Sequence, residues 1–200
     1  MADALENYIE VRQSIFTTKM PYGGFSYKNY LAWDESNRWE LIDGIPYMMA
    51  GASVRHQSMT VELLGQLREF LKNKPCRVFT APFDVRLFPE SDLSDKTVVQ
   101  PDILVVCDEK KLSDGKACRG APDFIIEVMS ESSAGRDLID KKRIYEAAGV
   151  KEYWVVGEEK FYRYVLIDNK YLETIFDRAK DVGLEVSILK GCMISIKGSA

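Results

Sequence analysis

Two hundred residues with 46% hydrophobic content are enough for one domain with a sizeable core. The formal net charge of -4 argues against a protein that coats nucleic acid by bulk charge, while leaving room for a local basic groove or for phosphate contacts bridged by metal ions. No run approaches the roughly eighteen apolar residues of a membrane span, and the opening residues lack a basic-then-apolar leader, so a soluble cytoplasmic protein with no membrane partner is expected.

Residues 1–25 carry mixed signals and end among Pro21, Gly23 and Gly24, so they are read as an N-terminal arm preceding one domain over 26–200. Ser26 fits the N-cap of a short helix reaching Trp33. Residues 39–42 and 45–49 flank Asp43-Gly44, the dipeptide a tight hairpin favours, and Pro46 should hold the second arm at a sheet edge. Ser53 can cap a helix over 55–72, in which Met59, Leu63, Leu64, Leu67, Phe70 and Leu71 fall on one arc at about 100° per residue. His56 lies on that arc, either as a core histidine satisfied by a backbone carbonyl or as a member of a site. Residues 77–88 read as one or two strands with Phe83, Val85 and Leu87 on one face, and 89–97 as an acidic loop.

The middle of the chain, residues 98–128, joins two Val/Ile-rich runs of strand length. The first carries Pro101-Asp102 and the second carries Glu127. Strand alternation puts Glu127 on the face of Ile125 and Met129, so a buried carboxylate there needs a cation, hydrogen bonds or a raised pKa. After a polar turn at 130–135, a helix over 137–148 should end at Gly149. Its apolar arc of Leu138, Ile144, Tyr145 and Ala148 has Lys141 at its centre. Such a lysine either snorkels out along Tyr145 or meets a buried partner. A core strand over 151–157, a second hairpin around Asp168-Asn169 and one or two tail strands over 186–196 complete an α/β or α+β sheet with helices packed on it.

Four cysteines, Cys76, Cys107, Cys118 and Cys192, show neither a CxxC pair nor a zinc spacing, and are expected to be reduced structural thiols. His56 is the single histidine, which excludes HExxH and His-rich centres, so any metal must be held mainly by oxygen. Glu40, Asp102, Glu127 and Lys141 together offer such a site: carboxylates for a hard divalent cation, and an ammonium to orient water or stabilise charge on a phosphate.

The PD at 101–102 followed by IIEVMS at 125–130 resembles the core of the PD-(D/E)xK nuclease superfamily. WELIDG at 39–44, RHQ at 55–57, PFDVRL at 82–87, QPDILVV at 100–106, then Asp137, Lys141, Tyr145, Gly149-Val150 and Glu152-Tyr153-Trp154 resemble one branch, the restriction-endonuclease-like Uma-two family. The resemblance implies a restriction-endonuclease-like fold, a central mixed β-sheet flanked by α-helices with additional β-hairpins. It also implies a metal-dependent endonuclease acting on DNA. Asp102 and Glu127 would bind Mg or Mn, with Glu40 as a further carboxylate and His56 and Tyr145 as accessory residues. The lysine of the usual (D/E)xK triplet falls at Met129, and this branch takes it from the next helix, at Lys141. The chain also departs from the branch at Glu131, often Pro, and at Gly157, often Asp. A homodimer placing two sites across one duplex is a further expectation. The competing reading is an inactive nuclease-fold module for binding or structure. Removing Asp102 or Glu127 is expected to leave the fold intact or more stable, because like charges repel.

Overall fold

The computed structural model describes residues 24–33, 36–131, 133–179 and 181–196. The arm expected over 1–25 therefore lies outside the described residues except for Gly24 and Phe25, whose N–H donates to Gly44 O at 2.9 Å. Gly44 has φ +79, and a Cβ there would meet Phe25 O at 3.2 Å, so the turn and this close approach both require glycine. Ser26 caps a single turn, α1 (Tyr27–Tyr30), through a reciprocal bond with Asn29, and the chain leaves helical geometry before Trp33. The hairpin β1 (Trp39–Ile42) and β2 (Ile45–Met48) forms as its Asp-Gly turn demands, with Pro46 on the sheet edge.

Ser53 Oγ accepts from His56 N and starts α2 (Val54–Leu71), which buries Leu63, Leu67 and Leu71. The next strands are short: β3 (Arg77–Thr80), β4 (Val85–Arg86) and β5 (Val98–Val99). The central run is not one strand. Gln100-Pro101 separates β5 from β6 (Ile103–Val106), and the two belong to different sheets because proline cannot continue the ladder. A 3-10 turn (Glu109–Leu112) and β7 (Cys118–Arg119) precede β8 (Phe124–Val128). The helix expected after it begins as a π-helical segment, Arg136–Lys141, and becomes α3 (Lys142–Ala148), closed by Gly149 at φ 87. Then follow β9 (Glu152–Val156), β10 (Lys160–Ile167), β11 (Lys170–Asp177), β12 (Val182–Glu185) and β13 (Met193–Ile196).

A mixed six-stranded sheet, in the order β11-β10-β9-β8-β6-β3, is the centre of the molecule, with β8 and β9 parallel and the other pairs antiparallel. Alternation along its strands divides the core in two. Phe124, Ile126, Val128, Ile103, Val105, Trp154 and Val156 pack against α2 and the β12–β13 ribbon. Ile125, Leu104, Tyr153 and Val155 face the second sheet, β2-β1-β5-β4-β7, together with Ile144 and Tyr145 of α3. Glu127 lies on this second face, between two sheets and a helix.

The antiparallel register of β3 and β6 pairs Arg77 with Val106, which brings the flanking Cys76 and Cys107 together as a disulfide with an S–S distance of 2.07 Å. That overturns the expectation of reduced thiols for this pair, while Cys118 and Cys192 are free and buried. No helix among the described residues is long and apolar enough to cross a membrane.

Candidate active site

Four separate elements bring the expected residues to one cleft. Asp102 stands just before β6, Glu127 is in β8, Glu40 is in β1 and Lys141 closes the π-helical segment. Lys141 Nζ is 2.8 Å from Glu40 Oε1, 2.8 Å from Glu127 Oε1 and 3.8 Å from Asp137 Oδ1, and all four side chains are at most 4% exposed. The buried ammonium thus meets carboxylates and does not snorkel to water. Tyr145, one turn further along, donates its hydroxyl to Glu127 Oε1 at 3.0 Å. Met129, where the usual triplet would place a lysine, is buried in the core.

Backbone donors fix the acids. Asp102 Oδ2 accepts from Val128 N at 2.8 Å and Glu127 Oε2 from Asp102 N at 3.3 Å, so the ends of β6 and β8 hold each other's carboxylates. Gln100 N donates to Glu40 Oε1 at 3.0 Å. Glu40 Oε2 is buried and has no hydrogen-bond partner. His56 Nε2 is 3.0 Å from Asp102 Oδ2, and Nε2–H donates there in the tautomer this contact selects. The histidine is therefore held by a site carboxylate and not by a backbone carbonyl.

Charge governs this cluster. Burial opposes the charge on Lys141, but Glu127, Glu40 and Asp137 outweigh it and hold the ammonium pKa above its ordinary value. Burial pushes Glu127 well above the usual carboxylate range, with Lys141 pulling the other way and Asp102, Asp137 and Glu40 adding to the rise. Asp137 is pushed up to about 6, chiefly by burial. The hydrogen bond to Asp102 raises the His56 pKa against the effect of burial. One ammonium faces several acids, and a further cation would relieve what Lys141 leaves uncompensated.

The cleft has room of about 350 Å³ and is walled by these acids together with Arg38, Met48, Ser53 and Arg136. Arg136 was not singled out from the sequence. Its guanidinium lies over the Tyr47 ring at 5.3 Å, its Nε is 3.9 Å from Glu40 Oε2, and that Nε has no hydrogen-bond partner. Arg38 Nε donates to Gln100 Oε1 at 3.1 Å. Asp137, seen from the sequence only as part of the family pattern, joins the Lys141 cluster because it lies four residues before Lys141 on the same helical segment, and both side chains are buried.

All of these residues lie within 27–196, the stretch that matches the Uma2 family, described as "Putative restriction endonuclease". The chain belongs to the Uma2 family. A crystal structure described as "a putative nuclease belonging to DUF820", from Anabaena variabilis ATCC 29413, is similar with a TM-score of 0.66 and 16% identity, over 82% of this chain and 90% of that one. That likeness is one of fold, and the Uma2 chain has the restriction-endonuclease-like architecture its sequence resembles. No curated protein matches the sequence. Family membership places the chain among nuclease-like proteins.

Proposed function

We propose that this Uma2 chain is an endonuclease that hydrolyses DNA phosphodiester bonds with Mg or Mn. The observation that carries the reading is the convergence of Glu40, Asp102, Glu127 and Lys141 from four elements on one cleft.

The donor set fits a hard divalent cation, because the acids offer oxygen and Glu40 Oε2 is buried without a hydrogen-bond partner. Among the described residues no three His, Cys, Asp or Glu side chains form a ready-made cage, so substrate oxygens and water would have to complete the shell. Asp102 and Glu127 would be the principal ligands and Glu40 the third. The cation would supply Lewis acidity toward a phosphate oxygen and toward water.

The chain's own residues supply the rest. Lys141, held as a cation by its acidic neighbours, does not serve as a neutral base; it holds the Glu40 and Glu127 carboxylates in place and stabilises negative charge growing at phosphorus. Tyr145 keeps Glu127 from rotating away. His56 fixes Asp102 and stands at the cleft wall. Arg136, whose Nε–H makes no hydrogen bond, would donate to a phosphate oxygen. Pairing of two copies across one duplex belongs to the same proposal, and sedimentation with and without DNA tests it.

The same Lys141 contacts favour one second reading: an ion-paired cluster kept for the fold, on a module without turnover. Calorimetric titration of Mg and Mn into metal-free wild type and Glu127→Gln, with and without duplex DNA, separates the two. Binding that disappears in the variant supports the nuclease; silence in both conditions supports the module.

A further inference from the structure

We propose that the cavity beside the carboxylate cleft, walled by Arg178 and Arg55, is a second phosphate subsite that holds an internucleotide phosphate flanking the one to be cleaved. This rests on the nuclease reading and specifies how the substrate is held.

The cavity has room of about 400 Å³ and shares Ser53, His56, Val128 and Ser130 with the carboxylate cleft, so the two hollows adjoin. Arg178 follows β11 and is 2% exposed, although an arginine is seldom buried so completely. Its Nη1–H donates to Gly157 O, which sets the plane of the guanidinium. A Cβ at Gly157 would come within 2.7 Å of Met129 Cε and 2.8 Å of Lys160 O, so a side chain there would have to displace backbone, and the carbonyl alone meets Arg178. Arg55 stands in the first turn of α2 on the same cavity. Its pairing with Glu158 at 3.3 Å is between side chains 47% and 65% exposed, the kind of surface contact a phosphate can replace at little cost.

Arg55 and Arg178 bring two guanidinium groups to one cavity, whose lining also includes Glu131 and Glu158. Burial first, and then the Arg55 charge, lower the Arg178 pKa, while Glu158 and Glu62 pull the other way, so a phosphate that takes over the Glu158 contact keeps a negative group beside both guanidiniums. The planar fork of arginine suits the tetrahedral oxygens of a phosphate.

The test measures anisotropy of a short fluorescein-labelled duplex, with calcium as the hard cation, across a salt series. Arg55→Gln alters a half-exposed side chain and should fold. Arg178→Lys keeps the buried charge while losing the fork. Each is expected to weaken duplex binding about five- to tenfold at low salt, and Arg55→Gln to reduce the slope of log affinity against log salt by about one. Manganese affinity without DNA should stay at the wild-type value in both. Wild-type affinity and slope in both variants would overturn the subsite and leave the nuclease reading standing. A wild type that binds manganese and no duplex would overturn the subsite, and one that binds neither would overturn both.

Discussion

Replacing Lys141 by Met removes a buried cation that lies within 4 Å of Glu40, Glu127 and Asp137, and keeps roughly the same volume. Two outcomes are open to the stranded acids: to stay ionised in a buried site, which costs about 3–5 kcal/mol for a broken buried pair, or to take up a proton. Carrying a glutamate proton from its ordinary range to pH 8 costs about 5 kcal/mol, but only about 1.5 at pH 5.5, because each unit is worth about 1.4. The variant should therefore lose roughly 3–5 kcal/mol at pH 8 and less than half of that at pH 5.5. The sign follows from a Glu127 pKa raised above its unfolded value, a contribution fully present below the unfolded pKa and lost as pH rises through the folded one. Urea unfolding followed by tryptophan fluorescence measures it, since Trp154 is fully buried in the core. Glu40→Gln added to Lys141→Met should recover part of the loss at pH 8. A Lys141→Met protein as stable as wild type at pH 8, or one equally destabilised at both pH values, would refute the buried pairing.

Glu127→Ala should lower stability by about 1–3 kcal/mol, because it strands the Tyr145 hydroxyl and Asp102 N–H. This reverses the expectation from charge repulsion alone, and urea midpoints decide between the two. Asp123 accepts from Lys151 Nζ at 2.7 Å and Cys107 N at 2.8 Å. Burial pushes its pKa up, but these donors outweigh it and hold the carboxyl below its usual value. Asp123→Asn should thus cost about 1–2 kcal/mol at pH 7, with the difference from wild type disappearing in acid as pH falls through the folded Asp123 pKa. Leu67→Ala, at a fully buried position of α2, should cost about 2–5 kcal/mol by calorimetry with metal affinity unchanged.

Local rules made much of this molecule legible. The alternation of β8 placed Glu127 on the face of Ile125 and Met129, and that face is where the cluster forms. Lys141 stood out from its helix because an ammonium on an apolar arc needs a partner, and the partners are carboxylates from elsewhere in the chain. What stayed hidden depended on long-range register or on departures from regular geometry. Cys76 and Cys107 meet only because β3 runs antiparallel to β6, and nothing within their separation of 31 residues announces that pairing. Two-residue strands such as β4, β5 and β7 are too short for any period to mark them. Asp137 stands four residues before Lys141, a spacing at which helical side chains meet, whereas the approach of Arg136 to Glu40 joins distant parts of the chain and could not be read from spacing. Charge on an acidic chain gave no hint of Arg55 and Arg178, since two cations at one cavity do not alter the net balance.

The most direct measurement is cleavage of supercoiled and linear DNA, with Mg or Mn and with chelator, by wild type, Asp102→Asn, Glu127→Gln and Lys141→Met purified in parallel. Metal-dependent nicking or linearisation by the wild type is expected, abolished by chelator and reduced at least about a hundredfold in each variant. Cleavage that persists in chelator, or in folded Asp102→Asn and Glu127→Gln proteins, would contradict the site assignment.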